Sequence, residues 1–235
     1  MEHTTLFAGN MWIWIIFIGF TLISWLISQQ LKSRFVKYSK IPTANGMNGK
    51  EVVEKMLRDN GITGVKIGSV EGQLTDHYNP VDKTINLSKE VYYGNSIAAA
   101  AVAAHECGHA VQHAKAYSML KLRSALVPVV SFASHWVQWI LLAGILLVNT
   151  FPQLLLAGII LFAAMTLFSF ITLPVEIDAS HRALAWLRNS GITTYETQAY
   201  AFDALKWAAY TYVIAALSSL ATLLYYIMIY LGRRN

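Results

Sequence analysis

Four long runs without a formal charge dictate what this chain can fold into: Leu6 to Ile27, Ala125 to Val148, Pro152 to Leu173 and Ala208 to Leu231. A helix needs about 20 apolar residues to cross the roughly 30 Å hydrocarbon core of a bilayer, and each run is near that length. On a water-soluble fold such runs would expose apolar surface far beyond the patches a monomer tolerates. Of the 235 residues 55% are hydrophobic and 13% are charged, about half the charged share of a soluble domain. The expected fold class is a mainly α membrane protein with about four transmembrane helices and one small α+β unit outside the bilayer.

The first run reads as a retained anchor. Glu2 and His3 lead into it where a cleavable signal carries basic residues, and Gln29, Gln30 and Leu31 follow where a signal has a small-residue cleavage site. Lys32, Arg34, Lys37 and Lys40 come next, which by the positive-inside rule puts the amino terminus outside and the following segment in the cytoplasm. Only Asn149, Thr150 and Phe151 separate the second and third runs, so these form a tight hairpin that returns the chain to the side it left. Arg233 and Arg234 oppose this map, since four crossings leave them outside, and whether the last run spans stays open at this level. The expected division is an anchor at 1–28, a soluble segment at 29–124, the hairpin at 125–173, a second cytoplasmic segment at 174–207, and a last transmembrane helix with its tail at 208–235.

Within the soluble segment, Asn48 and Glu51 form an Asn variant of the capping box. It opens a helix with Val52, Val53, Met56 and Leu57 on its apolar face, and Gly61 ends it. Val65 to Val70 and Thr84 to Leu87 are β-rich and flank a turn-rich loop with Asp76, Asn79, Pro80 and Asp82, which predicts a hairpin. An Ala-rich helix follows from about Ser96 to Ala116. The net charge of +5 is scattered over loops beside apolar runs, with no basic block suited to tracking phosphates, so orientation in the membrane explains it and nucleic acid is no partner. Cys107 is the lone cysteine and reads as a small apolar filler in a helix.

The chemistry lies in His105-Glu106-Cys107-Gly108-His109. Two histidines at i and i+4 of a helix face one side and can reach one metal ion, with a glutamate beside them as base. A chance match to this pattern arises in roughly one chain in a hundred of this length at average residue frequencies, so the context has to decide. Here the pattern sits in AVAAHECGHAVQHA, where the small residues let a substrate chain or a second helix approach. Two imidazoles and a carboxylate in an Ala-rich helix are costly to bury without a partner, and a zinc ion satisfies all three.

A catalytic zinc ion takes a third protein ligand and leaves the fourth position to water. Glu176, in LPVEIDAS, is the best candidate, because an even number of crossings returns it to the side of His105. The competing reading makes Glu176 or Asp178 a helix cap after Pro174. His113 continues the face of His105 and His109 one turn further on, which carries it away from a metal held by that pair and gives it a surface or supporting role. His77, His135 and His181 lack ligand spacing. No oxyanion donor is assigned, with His77 and His181 as candidates.

The stretches DHYNPVDKTINLS, SIAAAAVAAHECGHAVQHA, LRSALVPVV and PVEIDASHRAL resemble, in that order, the YugP-type zinc-dependent membrane peptidases, from the first anchor to TYVIAAL. The resemblance implies a membrane-bound neutral zinc metallopeptidase with a zincin-like cytoplasmic domain, His105 and His109 as ligands, Glu106 as catalytic acid and base, and Glu176 as third ligand, a gluzincin-like set with one zinc ion per chain. A more distant likeness is to HtpX-type membrane proteases, where the glutamate of an E-x-x-A-D segment completes the site; here that segment ends in Ser180 instead of an acid. In zincins the strand before the metal-binding helix binds substrate backbone at its edge, and by resemblance that strand is Thr84, Ile85, Asn86 and Leu87.

These readings imply an integral membrane protein of a bacterial cell membrane, with its active site on the cytoplasmic side and membrane-associated proteins or peptides as substrates. Two alternatives stand beside it. A site-2-like intramembrane protease adds an aspartate from a D-G pair, and neither Asp178 nor Asp203 precedes a glycine. A non-enzymatic metal-binding or transport protein has no need of a base at Glu106.

Overall fold

The computed structural model describes residues 2–232, with side chains from Trp14 onward. Arg233 and Arg234, and the side chains of Glu2 and His3, therefore lie outside the described residues. The elements in chain order are α1 (Glu2–Tyr38), α2 (Gly49–Asp59), β1 (Lys66–Val70), β2 (His77–Asn79), β3 (Thr84–Ser88), α3 (Lys89–Tyr92), α4 (Ile97–Ala114), α5 (Ser118–Leu146), α6 (Pro152–Asn189) and α7 (Tyr195–Gly232). The chain divides into two compact units: one holds residues up to 27, 122–173 and from 211, the other residues 28–121 and 174–210.

In the first unit, α1, α5, α6 and α7 are each long and apolar enough to cross a membrane. Trp14, Ile15, Ile16, Ile18, Leu22 and Trp25 of α1 are exposed, and side chains of this kind are at home in hydrocarbon. Val137 and Leu141 of α5 pack on Leu155 and Ile159 of α6 to make the buried centre of the hairpin.

The second unit is built on α4. Ala99, Ala100, Ala101, Ala103 and Ala104 are strong helix formers with almost no side-chain volume, so neighbours approach closely on several sides. Val52, Val53, Met56 and Leu57 of α2 meet one side together with Ile85 and Leu87 of β3, while Ala183 and Leu187 of α6 join the same core. Both hydrogen bonds of the capping box are made, Asn48 with the Glu51 amide and Glu51 with the Asn48 amide. The far end of α2 closes with Ile62 N–H on Leu57 O at 2.9 Å and Gly61 N–H on Arg58 O at 3.0 Å. This double bond pattern needs a left-handed residue between, and Gly61 has φ +66°.

Two expectations are corrected here. The β-rich stretches do not form a hairpin with each other: β1 pairs parallel with β3, and the loop between them contributes β2, which pairs antiparallel with β3. The sheet order β1-β3-β2 therefore puts Thr84, Ile85 and Asn86 in a central strand with partners on both edges, so the stretch expected to offer a free edge to substrate offers none there. The alternation that made 84–87 read as a strand is real, with Ile85 and Leu87 fully buried. Position within a sheet is set by partners, and alternation along one strand does not encode it. The competing reading of Glu176 or Asp178 as a helix cap also falls, because Pro174 starts no new helix. It sits inside α6; the lost backbone hydrogen bond costs about 3 kcal/mol, which the burial of Val175, Ala179, Ala183 and Leu187 on the following turns offsets.

Candidate metal centre

His105, Glu106 and His109 lie on α4, which starts at Ser96, whose side chain accepts the Ala99 amide as an N-cap. Four residues of helix turn through about 40° beyond one revolution, so the two rings sit one above the other, 4.9 Å apart at 84°. Glu176 comes from α6. Its Oε2 is 3.3 Å from His105 Nε2 and 3.6 Å from His109 Nε2. One donor atom from each of the three residues falls within a 4.8 Å group.

Two features bring α6 this close. A Cβ built on Gly108 would lie 2.7 Å from the Ala179 carbonyl oxygen, so only glycine lets the helices meet at this level. Glu176 and Ser180 are one turn apart on the α6 face turned to α4, and Ser180 Oγ lies 3.1 Å from His105 Nδ1. The other imidazole is held from its own helix, with His109 Nδ1 3.0 Å from Gln112 Oε1. Both Nδ1 atoms are thus engaged away from the centre, and both Nε2 atoms face Glu176.

The donor set fits a zinc ion. Bonds of about 2.0–2.1 Å in a tetrahedral arrangement put neighbouring ligand atoms about 3.3–3.4 Å apart, close to the two separations observed. A hydrogen bond between imidazole and carboxylate closes to about 2.7–2.9 Å; these pairs stand wider than that. Electrostatics point the same way. Burial works against a charge on His109, but the nearness of the Glu176 carboxylate, the charges of Glu106 and Glu176 and the contact with Gln112 together hold its pKa above the ordinary histidine value. The environment draws positive charge to the point the three residues surround.

Glu106 is 8% exposed, and among the described residues no hydrogen bond or ion pair engages its carboxylate. Asp76 lies on the chain just before β2. Its carboxylate accepts the Ser88 backbone N–H at 2.7 Å and the Ser88 hydroxyl at 3.2 Å. Burial, with a further contribution from the charge of Glu106, raises its pKa even though the Ser88 bonds work in the opposite direction.

The remaining candidates separate from the centre. His113 is exposed and pairs through Nδ1 with Tyr78 of β2 at 2.7 Å, and Asp178 turns aside to Gln112 and Arg182. His77 is engaged with Thr75 O and Asn86, and His135 with Ser131 O. His181 lines a separate cavity of about 900 Å³ with Arg188, Tyr195 and Tyr200. Cys107 is fully buried and its thiol pKa is pushed up by that burial, which leaves it inert. Sequence reasoning missed Gly108 as a packing requirement, and Gln112 and Ser180 as partners of the histidines. Helical spacing holds the signal for both partners, since Gln112 is i+3 from His109 and Ser180 is i+4 from Glu176.

A family model described as "Putative neutral zinc metallopeptidase" matches residues 13–231. The "Putative membrane protease YugP" of Bacillus subtilis (strain 168) is 44% identical over 206 residues, covering 88% of this chain and 91% of that protein. No solved structure matches the chain.

Proposed function

The chain belongs to that zinc metallopeptidase family, and from that premise we propose that it is a membrane endopeptidase in which His105, His109 and Glu176 hold one zinc ion and Glu106 is the general base and acid. The observation that carries the reading is the convergence of two imidazole Nε2 atoms on one buried carboxylate oxygen, at 3.3 and 3.6 Å, with Glu106 on the same helix as the two histidines.

Zinc held there would supply Lewis acidity, polarising the scissile carbonyl and lowering the pKa of water towards about 7. Glu106 takes a proton from the attacking water as its oxygen bonds to the carbonyl carbon. It then delivers a proton to the amide nitrogen as the C–N bond breaks. Histidines 105 and 109 stay neutral as ligands, their Nδ1 atoms occupied by Ser180 and Gln112. The free edge of β2, which packs against α4 through Tyr78 and His113, takes the extended substrate backbone in place of β3.

By the distribution of Lys and Arg the catalytic unit faces the cytoplasm, next to the bilayer. Its substrates are membrane proteins or chain segments near the membrane surface, as in membrane protein quality control. A metal carrier has no use for Glu106, and the site-2 reading lacks its aspartate.

Zinc content by elemental analysis and hydrolysis of fluorogenic peptides, both in detergent, test this reading on wild type, Glu106→Gln and Glu176→Ala. Wild type and Glu106→Gln should hold about one zinc, with hydrolysis in Glu106→Gln reduced about 10²- to 10⁴-fold. Glu176→Ala should lose the metal. Full zinc retention in Glu176→Ala removes Glu176 as the third ligand, and full hydrolysis in Glu106→Gln removes the proposed base.

A further inference from the structure

Gln112 is fully buried one turn beyond His109. A buried primary amide has two N–H donors and one carbonyl oxygen to satisfy. Its Nε2 donates to the Val175 carbonyl at 2.8 Å and to Asp178 Oδ2 at 2.7 Å. Arg182 donates to both oxygens of Asp178, from Nε at 2.6 Å and from Nη2 at 3.2 Å, which keeps that carboxylate an acceptor. Turning the Gln112 amide over would set its carbonyl against two acceptors, so the orientation is fixed. Oε1 therefore faces His109 Nδ1, and since a carbonyl can only accept, Nδ1 carries the proton and Nε2 presents its lone pair to the side of Glu176.

His105 has no such constraint. Its Nδ1 meets the Ser180 hydroxyl, which can donate or accept.

We propose that Gln112 is the positioning residue that locks His109 in its Nδ1–H tautomer, and that Asp178 and Arg182 act on the metal site through it. This rests on the zinc reading above. A carboxylate in direct contact would orient the imidazole and also add negative charge to it; the intervening neutral amide transmits orientation alone. It also gives Asp178, two residues from Glu176 and turned away from the donor atoms, a role in the site.

The test is zinc affinity of the full-length protein in detergent, by competition with a chromophoric chelator, alongside the melting midpoint of metal-free protein. Gln112→Leu should bind zinc about 10- to 100-fold more weakly. Asp178→Ala, which touches no donor atom, should lose affinity in the same direction while remaining folded. Wild-type affinity in folded Asp178→Ala and Gln112→Leu overturns the proposal. Failure of the zinc reading looks different: wild type then binds no zinc, or binds it as well after His109→Ala.

Discussion

The Cβ position of Gly108 points at the carbonyl oxygen of Ala179 from 2.7 Å, and that contact sets how near Glu176 comes to the two histidines. A methyl group there cannot be absorbed by a side-chain rotation, because the obstacle is backbone. Gly108→Ala gains about 1 kcal/mol of helix propensity and loses about 1–3 kcal/mol to overpacking, so stability should fall or at best hold. Zinc retention should suffer more, since α6 has to move outward by several tenths of an ångström with Glu176 on it. Melting midpoint and zinc content of the variant check this; a fully zinc-loaded Gly108→Ala shows that the helices have slack.

Ser180 lies one turn beyond Glu176 on α6, and its hydroxyl meets His105 Nδ1 at 3.1 Å. Removing that partner in Ser180→Ala should weaken zinc binding about tenfold. Ser180→Asp should tighten it, because a carboxylate accepting from Nδ1–H forms a stronger, charge-assisted bond. Chelator competition on both variants reads the two directions, and an unchanged affinity in both removes Ser180 from the site.

How much of this was legible in the sequence depended on whether the information was local. The capping box at Asn48 and Glu51, the Ser96 start of α4 and the four apolar helices are properties of neighbouring residues or of long runs, and sequence reading recovers them. The placement of Glu176 was legible because hairpin topology narrows what can return to α4 and because the family resemblance points to the same residue. Sheet order, the parallel pairing of β1 with β3 and the passage of α6 through Pro174 depend on partners distant in sequence. The two short β-rich stretches carry no mark of a third strand between them, since β2 is three residues long. Gln112 was hidden for another reason: a buried amide reads as a surface residue until its three partners are known.

Asp76 gives stability a pH dependence whose sign follows from its environment. Its pKa is raised from 3.8, chiefly by burial and further by the charge of Glu106. The folded state therefore binds this proton more tightly than the unfolded chain does. Its contribution is fully present below 3.8 and is lost as pH rises from there through the raised folded value. Asp76→Asn keeps an acceptor for the Ser88 N–H and removes the titration. Melting midpoints of both proteins, from about pH 4 to about 7, should show a decline in wild type that the variant lacks. A parallel decline in the two proteins assigns the slope to other groups.

Tyr78 ties β2 to α4 through its hydroxyl on His113 Nδ1 at 2.7 Å, and β2 pairs with β3 along only one edge. If the other edge receives substrate, the clamp sets how that edge lies relative to Glu106 and the donor atoms. Tyr78→Phe keeps the ring and removes the clamp, at a cost of about 1 kcal/mol for a neutral hydrogen bond. That energy, expressed in the position of the strand, corresponds to about a fivefold rise in KM for peptide hydrolysis. Zinc content should not change, because neither residue contacts the three donors. Loss of stability with KM unchanged makes the clamp purely structural and sends the search for the substrate away from β2. A rise in KM at unchanged zinc content instead points to the edge of β2, which unlike the central strand β3 is paired on one side, as the edge that receives substrate.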